Sequence, residues 1–183
     1  MPAQAPAKLP VRRYHPVLVA LHWLLAFLII AQLAGGYFVV SRMPNTDPAK
    51  LDTLKIHMML GMLVFLLMLI RFIVRLFTAH PGPTEDQTHG LGRLRTPVHL
   101  GLYLVVLLMV SSGWATGYLI SEAYATPGAT LPADLPMLPS RVFHAWTALV
   151  LFLVIVLHIA AAVKERISGD KSILARMGLG ARR

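Results

Sequence analysis

Four long apolar runs separated by short polar stretches dominate the chain. The first covers Val17–Val40, the third Val98–Ile120 and the fourth Val142–Val163, and none of them contains Asp, Glu, Lys or Arg. The second is uncharged over Ile56–Ile70 and continues through Arg71 and Arg75 to Phe77. A helix that crosses a bilayer needs about 20 residues at about 1.5 Å each. The pattern therefore predicts spanning helices at about 17–40, 56–77, 98–120 and 142–163. The second reaches full length only with its two arginines at headgroup level, their side chains snorkelling. Pro44 and Pro48, then Pro81, Gly82 and Pro83, then Pro127 to Pro139 mark the connections as loops. Short loops between four helices predict an all-α, up-down bundle, one membrane domain over residues 1–183.

Composition agrees with that reading. Of 183 residues, 56% are hydrophobic and 14% charged, whereas soluble domains carry about 25% charge. An ordinary water-soluble globule is excluded, and so is disorder, which needs charge-rich, apolar-poor sequence. With no cysteine, disulfides, thiolate metal sites, Fe–S clusters and covalently attached c-type haem are also excluded. A net charge of +9 in a soluble protein points to nucleic acid. Here no nucleic-acid partner is expected, because the charge is laid out as a topology signal. Thirteen of the 17 Lys and Arg lie in the N-terminal tail, the 71–97 stretch and the tail after 163, and four in the other two loops. The positive-inside rule then places both termini in the cytoplasm. A cleaved signal peptide is not expected, since the first run exceeds an h-region of about 7–15 residues and no A-x-A-like site follows it.

Apart from Arg71 and Arg75, the ionisable residues within the spans are all histidine: His22, His57, His99, His144 and His158. Ionisable groups inside a membrane are costly and are usually functional. No span holds a carboxylate, which weakens a proton-relay or cation-transport reading; neutral imidazole is instead a metal ligand. His144 and His158 are 14 residues apart on one helix. Fourteen steps of about 100° fall within about 40° of whole turns, so both project from one face, about 21 Å apart. That is too far for one metal ion and suits two macrocycles stacked across the membrane.

Depth then selects partners. His22 lies five residues into the first span and His158 five before the end of the fourth, both a turn or two from the cytoplasmic side. His57 and His144 begin the second and fourth spans at the outer side. The pairs are therefore His22 with His158 and His57 with His144. His99, shallower than His22, ranks second as an inner ligand, with hydrogen bonding to a propionate or a quinone as its other roles. His15, His80 and His89 fall in tails or loops and are read as solvated. Arg71 and Arg75, four residues apart on one face, suit the propionates of the inner haem, although the positive-inside signal explains them equally well. Gly61, Gly113 and Gly117 would let a flat ring or a neighbouring helix approach closely.

These residues resemble a known family. His22-Trp23, Ile56-His57 with Gly61, Arg71-x-x-x-Arg75-Leu76, His99-x-x-x-Tyr103 with Gly113, His144, Leu157-His158, Asp170 and Leu174-Ala175-Arg176-Met177 are together similar to the prokaryotic cytochrome b561 family. More distantly they resemble the cytochrome b subunits of membrane-bound hydrogenases and formate dehydrogenases. The likeness covers residues of about 14 to 178, nearly the whole chain. It implies a four-helix protein of the bacterial inner membrane in which His22, His57, His144 and His158 bind two b haems. It also implies electron exchange with ubiquinone. One departure stands out: members often carry a His pair seven and eight residues after the last ligand, where this chain has Glu165 and Arg166.

The expected activity is thus quinone-linked electron transfer through two bis-His haems, with lipid around the protein. The other partner would be a redox protein or a small one-electron donor such as superoxide. The outer loops carry about zero net charge, so the count gives no steering of an anionic donor. Lys164, Arg71 and His99, all at the inner surface, are the candidates for a quinone site, and lipid-facing anchoring explains them equally well. Two rivals stand beside this reading. One is a cytochrome b membrane anchor of a hydrogenase or dehydrogenase complex, which a co-purifying second chain would favour. The other is a haem-free transporter or scaffold, which a colourless preparation would favour.

Overall fold

A computed structural model describes residues 13–79, 81, 95–126, 128–167 and 177, and among them it contains helices and no strand. Helix α1, Pro16–Gly35, begins with Pro16 at its first position and with His15 as its cap, whose Nδ1 accepts from Val17 N at 3.3 Å. His15 is solvated, as expected, and also closes a helix end. One π-helical turn, Gly36–Val40, continues α1. Helix α2 spans Pro48–Phe77, α3 Arg95–Leu119, the short α4 Ser121–Ala125, and α5 Pro139–Ile167. Among the described residues, four helices are long and apolar enough to cross a membrane: Pro16–Val40, Pro48–Phe77, Pro97–Leu119 and Pro139–Lys164.

Helix α2 starts eight residues before the apolar run does, because Asp47 caps it by accepting from Ala49 N at 2.9 Å and Pro48 fits its first turn. Its 30 residues measure about 45 Å against a hydrocarbon core of about 30 Å. The first two turns, with Lys50, Asp52 and Lys55, therefore stand beyond that core. They pack beneath a cap in which Ile120, Leu131 and Leu135 cluster against Leu51, Leu54, Tyr124 and Leu138. Leu131 N donates to Asn45 O at 3.3 Å, and Asn45 Nδ2 to Pro132 O at 3.1 Å, joining the two loops at this end.

Helix α3 packs most extensively on α5, α1 on α2, and α2 on α3. The centre of the bundle is one apolar layer with a buried residue from each spanning helix: Leu25, Val64, Val106 and Leu151. Leu151 lies midway between His144 and His158, seven residues from each. That places the layer about 10.5 Å from either histidine. Only 6–11% of each spanning window is buried within the bundle, so most apolar side chains need lipid around them. Exposed Tyr37, Trp114, Tyr118 and Trp146 at one end and Trp23 at the other mark interface levels.

Candidate functional site

The two histidine pairs stand at opposite ends of the bundle. At the end where α1 begins, the His22 and His158 ring centroids are 6.4 Å apart. At the other end, those of His57 and His144 are 6.3 Å apart. A ring centroid lies about 3.2 Å from a metal held at an ordinary imidazole bond length, so two trans imidazoles stand about 6.4 Å apart. Both separations fit that arrangement. The helices that carry the pairs, α1 with α5 and α2 with α5, are not those that pack extensively together. Space for a ring thus falls where the histidines face.

Around His57 and His144 that space is a cavity of about 310 Å³, lined among others by His57, Met58, Gly61, Met109, Gly113 and His144. Ligand sites commonly occupy about 300–1,000 Å³. His144 Nδ1 is 2.9 Å from Met109 O and 3.1 Å from Ser112 Oγ. Ser112 Oγ itself donates to Met109 O at 2.9 Å, so its lone pairs and the carbonyl face an Nδ1–H donor. That tautomer leaves the other ring nitrogen unprotonated, the form in which imidazole binds a metal. Buried Thr147 donates to the carbonyls of Phe143 and His144, both at 2.9 Å, and buried Thr116 donates to Ser140 Oγ at 2.9 Å. The Thr116–Ser140 bond ties the start of α5 to α3.

On the facing side, Gln32 Nε2 donates to His57 O at 2.7 Å, and a Cβ on Gly36 would stand 3.3 Å from His57 Cε1. Sequence reasoning passed over both residues. Gln32 was findable, since it and His22 are the strongly polar side chains of the first apolar run. Gly36 was not, because its contact depends on the π turn that it opens. Tyr124 Oη donates to Met58 Sδ at 3.1 Å, and burial pushes this phenol above its usual range, keeping it a donor. A Cβ on Gly117 would run into Met58, whereas Gly61 faces Gln32 at an ordinary distance.

Gly113 is the tightest contact against a histidine: a Cβ there would lie 3.0 Å from His144 Cε1 and 3.3 Å from its Nδ1. Gly113→Val is expected to cost about 1–3 kcal/mol by overpacking. Gly101→Ala is the matched control, since nothing lies within 4 Å of a Cβ there. It should be neutral to slightly stabilising. Thermal unfolding of the two variants in detergent checks the pair.

At the opposite end three histidines gather. The His99 ring lies 5.4 Å from that of His158, closer than His22 and nearly perpendicular to it at 88°. A separation of 5.4 Å is about 1 Å short of a trans pair, so His99 fits a positioning role beside His158 better than a ligand role opposite it. Arg71 Nη1 donates to Leu18 O, and its guanidinium also bonds the Tyr103 side chain. Tyr103 in turn contacts the Phe72 ring at 5.9 Å. Arg75 lies near Arg71 and is half-buried. Trp23 packs edge-on to His22 at 5.3 Å and donates from Nε1 to Met177 O at 3.1 Å. Lys164 is exposed on the last turns of α5. His80 and His89 lie outside the described residues.

Comparison with known proteins adds two findings. The family described as prokaryotic cytochrome b561 matches residues 13–180. "Cytochrome b561 homolog 2" of Escherichia coli (strain K12) is 26% identical over 175 residues, covering 90% of each chain.

Proposed function

Because the chain belongs to the prokaryotic cytochrome b561 family, whose members transfer electrons across the membrane, we propose that it does so through two b haems, exchanging electrons with ubiquinone. The protein is a multi-pass protein of the bacterial inner membrane, and its family implies a b-type haem. The observation that carries the proposal is the presence of two histidine pairs, 6.3 and 6.4 Å between ring centroids, at opposite ends of α5. Held between such a pair, a b haem would supply one-electron, outer-sphere chemistry.

The residues of the chain do the rest. His57 and His144 hold the outer group, and the Met109 carbonyl and Ser112 keep His144 in its ligating tautomer. His22 and His158 hold the inner one. Arg71 and Arg75 offer guanidinium groups to its propionates, with Arg71 oriented by Leu18 O and Tyr103. The Leu25, Val64, Val106 and Leu151 layer keeps water from the space between the two sites. Lys and Arg at the end that carries α1's start set that end in the cytoplasm. His99, Arg71 and Lys164 are the side chains available there to a quinone headgroup. At the outer face the donor is a small one-electron reductant such as superoxide, or a redox protein.

A short-chain ubiquinol added to the oxidised, purified protein should reduce haem that dithionite also reduces, followed at the α band. Protein that dithionite reduces and ubiquinol leaves oxidised would remove the quinone from this account.

A further inference from the structure

Lys50, His57, Val64 and Arg71 recur every seven residues along α2. Seven residues come within about 20° of two whole turns and rise about 10.5 Å, so the four form one stripe. Lys50 and Val64 are the buried residues of this helix. Lys50 therefore sits on the face of His57, about 10.5 Å further out, and is only 7% exposed. Its Nζ donates to Met43 O at 2.6 Å and to Asn45 Oδ1 at 2.7 Å. Two neutral oxygens solvate an ammonium without neutralising it, and they take two of its three donors.

A second cation is close by. Arg141 lies three residues before His144 on α5, about one turn further out. It is near enough to repel positive charge on Lys50. The only ion pair among the described residues is Lys55 with Asp52, at 3.2 Å. The carboxylate of Asp47 is engaged with Ala49 N as the cap of α2. A buried cation beside a second cation, with no carboxylate in ion-pair distance of either among the described residues, is an arrangement that folding penalises unless an anion joins it.

We propose that Lys50 and Arg141 form an anion site on the outer side of the His57–His144 pair, and that its occupant is a carboxylate. The carboxylate has two possible sources: the propionate of the outer haem, in which case the site rests on the function proposed above, or a small diffusible anion. Because Lys50 also ties down Met43 and Asn45, Lys50→Met is accompanied by Lys50→Arg and by Arg141→Gln, which removes no hydrogen bond found among the described residues.

The test uses the purified full-length protein and two readouts, redox titration of each haem and thermal unfolding in acetate against chloride at matched ionic strength. Arg141→Gln and Lys50→Met should keep the wild-type haem content. At fixed poise each should lower the outer reduced-to-oxidised ratio about tenfold, which is 59 mV for one electron, with the inner ratio unchanged and Lys50→Arg restoring the wild-type value. If the propionate fills the site, acetate leaves the haem-loaded wild type unmoved. If a diffusible anion fills it, acetate saturably lowers the outer potential and raises the unfolding midpoint of the wild type alone. The site is overturned if Arg141→Gln keeps the wild-type outer potential and acetate does not distinguish it from the wild type. A colourless wild type ends the proposed function instead, and acetate stabilisation of wild type but not Arg141→Gln then still decides the site.

Discussion

His144→Ala is expected to halve the haem content of the purified protein, emptying the outer site and sparing the inner one, and His158→Ala is expected to do the reverse. Both side chains project from α5, yet their 14-residue separation puts about 21 Å between them. The apolar layer around Leu151 fills the interval. Loss of either imidazole leaves His57 or His22 without the histidine that faces it. The fold should survive, because α5 is held to α3 by its packing and by Thr116 with Ser140. His99→Ala is the discriminating control: its ring is close to His158, but it should retain both haems. Haem per chain and the low-spin spectrum of each variant check the set. A full complement in His144→Ala or His158→Ala would undo the assignment of ligands. Loss of the inner haem from His99→Ala, with retention in His22→Ala, would transfer that role to His99.

An inside-negative membrane potential should shift electrons between the two sites toward the outer one. Ligands about 21 Å apart along the axis span most of a hydrocarbon core of about 30 Å. A full crossing is worth about 2.3 kcal/mol per 100 mV, so inward transfer is opposed by about 1.5–2 kcal/mol per 100 mV. That is more than a tenfold change in the equilibrium for each 100 mV. Inward flow then needs an inner haem or quinone of higher potential, or a strongly reducing outer donor. In oriented vesicles at partial reduction, imposing the potential should raise the reduced fraction of the outer haem at the expense of the inner. A distribution that ignores the field would mean that the two groups lie at the same depth.

The bundle and the depth of its histidines were legible because each rests on a linear quantity. Span length follows from residue number, and so does height along a helix. Pairing His22 with His158 and His57 with His144 used nothing else, and the same rings face each other at 6.4 and 6.3 Å. Lateral position was not legible, since it depends on which helices are neighbours and how each is rotated. His99 shows this: its depth was readable, but its approach to 5.4 Å from His158 was not. Lys50 shows it again. As a charge in an outer loop it entered only the charge counts, whereas Asp47 and Pro48 start α2 early and carry Lys50 into the buried stripe. Gln32 and Gly36 reach His57 through the course of α1 and its π turn, which the apolar pattern does not encode.

The most direct test of two stacked haems is the visible spectrum of the purified full-length protein, with haem and chain quantified on the same sample. The account predicts two b haems per chain, with sharp reduced α and Soret bands and the oxidised spectrum of low-spin, six-coordinate iron. A folded, monodisperse preparation that is colourless, that holds one haem per chain, or that shows high-spin iron would contradict it.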